Sequence, residues 1–193
     1  FTSLFRVFFM TLTDVPSAFT IRKATLNDVP RILEIYSHHV LRGTATFEEE
    51  VPTLADMQQR MQKTLDAGFP YIVAIDDQGK VCAYAYLGSY RPRKAYRFTL
   101  EDSIYLDKDY TGKGLGSILL SELLSLAEQG PWHLIIAVIG DSENLPSIKL
   151  HEKLGFTLVG IEPGTGFKFG RWLDTVIMYK AINGGKDSLP ETI

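Results

Sequence analysis

The residues with the most chemical content lie in the run Asp109-Tyr110-Thr111-Gly112-Lys113-Gly114-Leu115-Gly116-Ser117. An extended pattern ends just before it and an apolar helical pattern leaves it, so the turn opens a helix. The first amides of a helix have no acceptor within the helix. Glycines let an anion approach them, and the helix dipole favours negative charge there. Lys113 adds a cation. The chemistry implied is phosphate or pyrophosphate binding, with a ligand-free glycine turn as the plain alternative. A P-loop does not fit, because position 107 is Asp and Lys113 is followed by Gly114. A dinucleotide fingerprint fails too, since its last glycine falls on Ser117 or Leu119.

The elements that must position this turn can be read from periodicity. Residues 19–24 alternate as a first strand. Thr25 and Asp28 form a capping-box-like start with Pro30 in the first turn, and Ile32, Leu33, Ile35, Tyr36 and Val40 follow at helical spacing as far as Gly43. Residues 44–51 read as a loop or short edge segment, and a second cap at Thr53 opens a helix to Gly68. Strands are predicted at 71–75 and 80–90 around a four-residue turn, and again at 97–106. A helix over 115–129 precedes a nearly continuous apolar run, 132–139, that reads as a central strand. A helix at 144–154 and strands at 156–161 and 173–180 close the pattern. The order implies one mixed sheet with helices on both faces.

Composition bounds the rest. The chain has 193 residues, enough for one domain, which we place at 19–182 between an N-terminal extension (1–18) and a loose tail (183–193). Residues 1–10 are apolar but lack a basic n-region and a small-residue cleavage site, so they are not expected to act as a signal peptide. Met10 reads equally as a native start, which makes 1–9 an upstream extension. No stretch approaches the roughly 18–20 apolar residues of a membrane span. A net charge of −3 gives no general affinity for nucleic acid. The single cysteine, Cys82, excludes an intrachain disulfide and fits a cytoplasmic setting. Four histidines and one cysteine have no zinc-site spacing, so no metal is expected.

The pattern Thr111-Gly112-Lys113-Gly114-Leu115-Gly116 between strand and helix resembles the pyrophosphate arm of acetyl-CoA-dependent N-acetyltransferases. Asn144 followed by the run from Ser147 to Phe156 resembles the second cofactor-side motif of the GCN5-related (GNAT) superfamily. Within it the chain is similar to the phosphinothricin and methionine sulfone/sulfoximine acetyltransferases over about residues 20–180. That similarity includes Thr44 to Glu48, Tyr96 to Leu106 and Lys168 to Asp174. The resemblance implies an α/β (α+β) fold with a single mixed, mostly antiparallel central sheet flanked by helices. It also implies acetyl-CoA as co-substrate, a small amine as acceptor and a homodimer.

The resemblance further implies site residues. Ile104, Tyr105 and Leu106 would pair with the pantetheine arm, Gly112, Lys113, Gly114, Leu115, Gly116 and Ser117 would hold the pyrophosphate, and Asn144 and Ser147 would complete the cofactor side. Arg91, Pro92 and Arg93, with Glu101, Asp102 and Ser103, would contact the acceptor; Arg91 is the candidate partner of a substrate carboxylate or else a solvated charge. Tyr90 stands where members of that family often carry Trp, and Arg93 where some carry an aromatic residue, which leaves the acceptor open. Phe47 covers the pocket or packs as a core aromatic. Acetyl transfer to an amine needs a base, donors to the thioester oxygen and a proton for the leaving thiolate. Glu101, beside Phe98 and Tyr105, is the candidate base, with an ion pair to Arg97 as the alternative. His151 is the candidate acid, or a residue that positions the cofactor or is structural. His38 and His39 read as partly exposed and structural, and Cys82 as core, so transfer should be direct. A polyamine or protein N-terminal acceptor, or a non-catalytic acyl-CoA sensor, remain the rival readings.

Overall fold

A computed structural model describes residues 19–190; the expectations for residues 1–18 and 191–193 lie outside it. Seven strands and four helices follow in the order β1 (Thr20–Lys23), α1 (Val29–Arg42), α2 (Leu54–Asp66), β2 (Tyr71–Ile75), β3 (Val81–Ser89), β4 (Thr99–Leu106), α3 (Leu115–Glu128), β5 (Leu134–Gly140), α4 (Leu145–Lys153), β6 (Thr157–Lys168) and β7 (Arg171–Ala181). They build one sheet in the order β1-β2-β3-β4-β5-β7-β6. Every neighbouring pair is antiparallel except β4 with β5.

Two apolar layers cover the sheet. On one face α1 and α2 bring Ile32, Ile35, Tyr36, Val40, Met57 and Met61 against Tyr71, Val73 and Tyr84. On the other, Leu115, Leu119, Leu120 and Leu123 of α3 pack on Ile72, Ala85, Leu87 and Leu100. Leu119, Leu120 and Leu123 are fully buried, each stabilising the fold by roughly 1.5–3 kcal/mol. The caps behave as their residue types dictate. The Asp28 carboxylate accepts from the Thr25 amide at 2.8 Å, and Thr53 and Asp56 form a reciprocal capping box at the start of α2.

Two boundaries differ from the sequence pattern. The strand expected from residue 97 starts at Thr99, because Lys94–Tyr96 make a 3-10 turn and leave Arg97 in a helical conformation. The closing strands extend through residues 162–168, which Pro163, Gly164 and Gly166 mark as loop. β6 is an edge strand, where proline is tolerated, and a register shift between Glu162 and Gly166 absorbs the extra residues. Phe169 and Gly170, both with positive φ (53° and 74°), then form the two-residue hairpin turn. Finally, residues 183–188 of the expected tail make contacts with the residues that precede β5. Gly185–Asp187 form a 3-10 turn, His133 Nδ1 donates to the Gly185 carbonyl at 2.9 Å, and Asn183 donates to the Trp132 carbonyl at 3.0 Å.

Candidate active site

The parallel ladder of β4 with β5 is short, running from Thr99 opposite Leu134 to Asp102 opposite Ala137. Beyond it β4 stays with β3 as far as Leu106, and β5 stays with β7 as far as Gly140. The two strands part and a cleft of about 270 Å³ opens through the sheet. Strand alternation puts Glu101, Ser103 and Tyr105 on the α1/α2 side and Asp102, Ile104 and Leu106 on the α3/α4 side. Glu101, Asp102, Ser103, Ile104 and Tyr105 line the cleft together with Phe47, Asn144, Ser147, His151 and Thr175.

A second cavity of about 470 Å³ continues from it, sharing Ala45, Ile104, Asn144 and Ser147. Its floor is the glycine turn: Thr111, Gly112, Gly114, Gly116 and Ser117. Gly112 and Gly114 have φ of 72° and 76°, and a Cβ on either would meet nothing within 4 Å. The glycines at 112 and 114 are therefore required by backbone conformation, and they bring the chain into the first turn of α3 as the floor of the cavity. Gly116 serves packing instead, since a Cβ there would sit 3.2 Å from Leu150. A glycine-lined helix start of this kind fits a pyrophosphate. The side chains of two expected members point elsewhere. Lys113 donates to the Asp109 carbonyl at 2.9 Å and lies over the Tyr110 ring, and Leu115 is fully buried in the core. The cations at this cavity are Lys149 and Lys153 of α4. Their spacing on a helix that starts at Asn144 could have signalled them.

Among the described residues, Glu101 has no ion pair. Arg97 donates to the Lys94 carbonyl and stacks on Phe98, which removes the alternative of a Glu101–Arg97 pair. Burial, with the neighbouring Asp102 charge adding to it, pushes the Glu101 carboxyl up to about 7. Asp102 lines the same cleft from the α3/α4 side of the sheet. It pairs with His151 across the α3/α4 side, Nε2 to Oδ2 at 3.0 Å, both side chains 2% exposed. His151 Nδ1 lies 2.7 Å from the Ser147 carbonyl. A carbonyl only accepts, so Nδ1 carries hydrogen and Nε2 is the nitrogen that meets the Asp102 carboxyl. Burial alone would push this imidazole down; the Asp102 carboxylate and Ser147 carbonyl more than offset it, and the net direction is up. Both ring nitrogens are thus engaged.

Arg91, Pro92 and Arg93 are exposed and line neither cavity. Arg91 stacks on Tyr90 and Tyr96. Phe47 does line the cleft. His39 is half-buried and ties α1 to the end of β4: its Nε2 donates to the Leu106 carbonyl at 2.8 Å, and its ring also lines the larger cavity. No spacing in the sequence points to it, because α1 and β4 are brought together only by the fold. Cys82 is fully buried. Among the described residues, no group of three or more His, Cys, Asp and Glu could hold a metal. Among them too, no helix is long and apolar enough to cross a membrane.

Residues 21–177 match the family of acetyltransferase (GNAT) domains. A phosphinothricin N-acetyltransferase of Alcaligenes faecalis is 51% identical over 174 residues, covering 90% of this chain and 88% of that protein. An L-methionine sulfoximine/L-methionine sulfone acetyltransferase of Pseudomonas paraeruginosa is 42% identical, over 82% of this chain and 92% of its own length. Among solved structures, a GNAT superfamily phosphinothricin acetyltransferase from Sinorhizobium meliloti in complex with acetyl-CoA superposes with a TM-score of 0.88. It is 44% identical, with 91% of this chain and 94% of the other covered. A parted sheet, a glycine-lined helix start beside it and these matches lead to one conclusion: the chain belongs to the GNAT family of acetyltransferases, which use acetyl-CoA as co-substrate.

Proposed function

We propose that the protein acetylates the primary amine of a small amino-acid-like molecule, of the phosphinothricin, methionine sulfone or methionine sulfoximine type, by direct transfer with Glu101 as general base. The observation that carries this is the unpaired, half-buried Glu101 carboxyl at the parting of β4 and β5, held near neutrality. A base with that affinity for protons can take one from an ammonium and release it again near neutral pH. Acetyl-CoA, when bound, supplies the acetyl group as an activated thioester. Ile104 and Tyr105 offer it the edge of β4 that β5 leaves, with Leu106 at its end held through its carbonyl by His39, and Gly112 to Ser117, with Asn144 and Ser147, offer the helix-start cradle. N–H groups on that same free edge are the donors for charge developing on the thioester oxygen. His151, with both nitrogens engaged, anchors α4 to β4 instead of reaching a leaving sulfur. Cys82, sealed in the sheet, is no nucleophile, which favours direct transfer over an acyl-enzyme.

The relatives' substrates support the amino-acid analogue as acceptor, and acetylation in the cytoplasm would disarm such an analogue by removing its charged amine. Release of free CoA thiol, followed over a panel of these three compounds, ordinary amino acids, a polyamine and a short peptide, tests the reading. Release with the sulfur or phosphorus analogues, abolished in Glu101→Gln, supports it. Release with the polyamine or peptide alone overturns the acceptor class, and unchanged release in Glu101→Gln overturns the base. A homodimer is part of the same proposal. Leu158, Val159, Ile161, Phe167, Phe169 and Trp172 of the β6–β7 hairpin are each more than half exposed, a concentration of apolar surface that a second copy would cover.

A further inference from the structure

The segment 168–174 takes part in the family resemblance without a role in the chemistry above. It forms the turn of the β6–β7 hairpin and reaches the loop between α1 and α2. Lys168 ends β6 with only 1% exposure. Its ammonium donates to the carbonyls of Gly43 at 2.9 Å and Thr46 at 2.8 Å. Thr46 is held from its other side as well: its hydroxyl meets Tyr36 Oη at 2.8 Å and accepts from the Glu48 amide at 3.2 Å. Phe47 follows directly, and two glycines make room for it. A Cβ at Gly166 would lie 2.5 Å from its ring, and one at Gly140 would lie 3.0 Å from the ring and 2.2 Å from the Thr44 carbonyl oxygen.

Burying an ammonium is costly unless its donors are matched, and an apolar side chain would fill the same volume without that cost. What only the ammonium does here is fix two carbonyls of a loop that otherwise has no regular structure. We propose that Lys168 is a positioning residue for acceptor recognition: by holding residues 43–46 it sets Phe47 as a wall of the Glu101 cleft, and through Phe47 it tunes affinity for the amine more than for acetyl-CoA, whose cavity the same loop meets only at Ala45. The kinetic part of this inference rests on the acetyltransferase reading above; the positional part does not.

Lys168→Met keeps the length and apolar stem and removes the charge. Amide hydrogen exchange over residues 44–48 is expected to quicken at least ~tenfold as the loop loosens. KM for the amine should rise roughly tenfold, as fits the loss of hydrogen bonds from a charged donor, while kcat and the acetyl-CoA Kd stay within about twofold. Gly166→Ala displaces the Phe47 ring without touching Lys168 and should raise the same KM; it carries the test if Lys168→Met does not fold. Gly160→Ala, where a Cβ meets nothing within 4 Å, is the silent control. In the Phe47→Ala background, Lys168→Met should add no further KM effect. Unchanged exchange in a folded Lys168→Met, an equal rise in the acetyl-CoA Kd, or additive KM effects with Phe47→Ala would each overturn the proposal. If the parent protein acetylates no amine of the panel, the acetyltransferase reading fails, and the exchange measurement still decides the role of Lys168.

Discussion

Glu101 should make the protein less stable at the pH where it works best, and replacing it with Gln should reveal by how much. The carboxyl sits at about 7 against an ordinary 4.5, because burial, and secondarily the Asp102 charge, disfavours its ionised form. That difference corresponds to roughly 3 kcal/mol against ionisation; partial solvent exposure of the side chain reduces it to ~1–2 kcal/mol. The folded state holds this proton more tightly than the unfolded chain. Its contribution to stability therefore falls as pH rises from 4.5 through about 7, and the full cost is present above that window. Gln has nearly the same shape and no charge to desolvate. At about pH 8, Glu101→Gln should unfold ~1–2 kcal/mol later than the parent, a rise in Tm of about 2–8 °C for a chain of this size. At about pH 4, where Glu101 is protonated, the two proteins should melt together. Calorimetry at both pH values measures this, alongside turnover, which should fall by ~100-fold or more. An equal gain at both pH values, or none at either, would refute the assignment of a buried, reluctant carboxylate.

Three further outcomes follow from the same geometry. Asp102→Asn removes the carboxyl that faces His151 Nε2. Because that imidazole's affinity for its proton is raised in the fold, the pair's contribution is fully present below about pH 6.5 and fades as pH rises through the folded value. The variant should lose ~2–4 kcal/mol near pH 6 and less near pH 9 by denaturant unfolding; equal losses would show that charge is not what the pair contributes. Gly114→Ala forces a Cβ onto a backbone at φ 76°, a strain of about 1–2 kcal/mol. It should weaken acetyl-CoA binding by ~5–30-fold in calorimetric titration, and an unchanged Kd would remove the turn from the cofactor site. Sedimentation velocity at micromolar concentration should show a dimer that Val159→Asp converts to monomer; a monomeric parent protein would sink the proposed assembly.

Much of this architecture is visible in the residues themselves. The caps at Thr25 and Thr53, the leucine-rich α3 and the unbroken apolar run of β5 all announce their elements, since local hydrogen bonding and one-sided or two-sided burial leave direct traces in residue type. The glycine turn is legible for a similar reason: positive φ at Gly112 and Gly114 restricts what can stand there. The rest depends on contacts between segments far apart in the chain. That Asp102 faces away from Glu101 follows from strand alternation, but that it meets His151 is fixed only when α4 packs on β4. Likewise Lys168 finds Gly43 and Thr46 across more than 120 residues. Arg91 is a residue type suited to a carboxylate, and in the fold it stands exposed and stacked on Tyr90 and Tyr96, a placement that its type alone does not announce.

The short β4–β5 ladder has a consequence for how such a protein can diversify. The opening between these strands is a gap in backbone pairing and not a hollow left by small side chains, so substitutions along its walls cannot readily close it. Its existence is a property of topology, whereas what it admits is decided by side chains that come from separate loops and edges, Phe47 above all. A lineage can therefore exchange the residues that choose an acceptor while the place where transfer occurs is inherited unchanged.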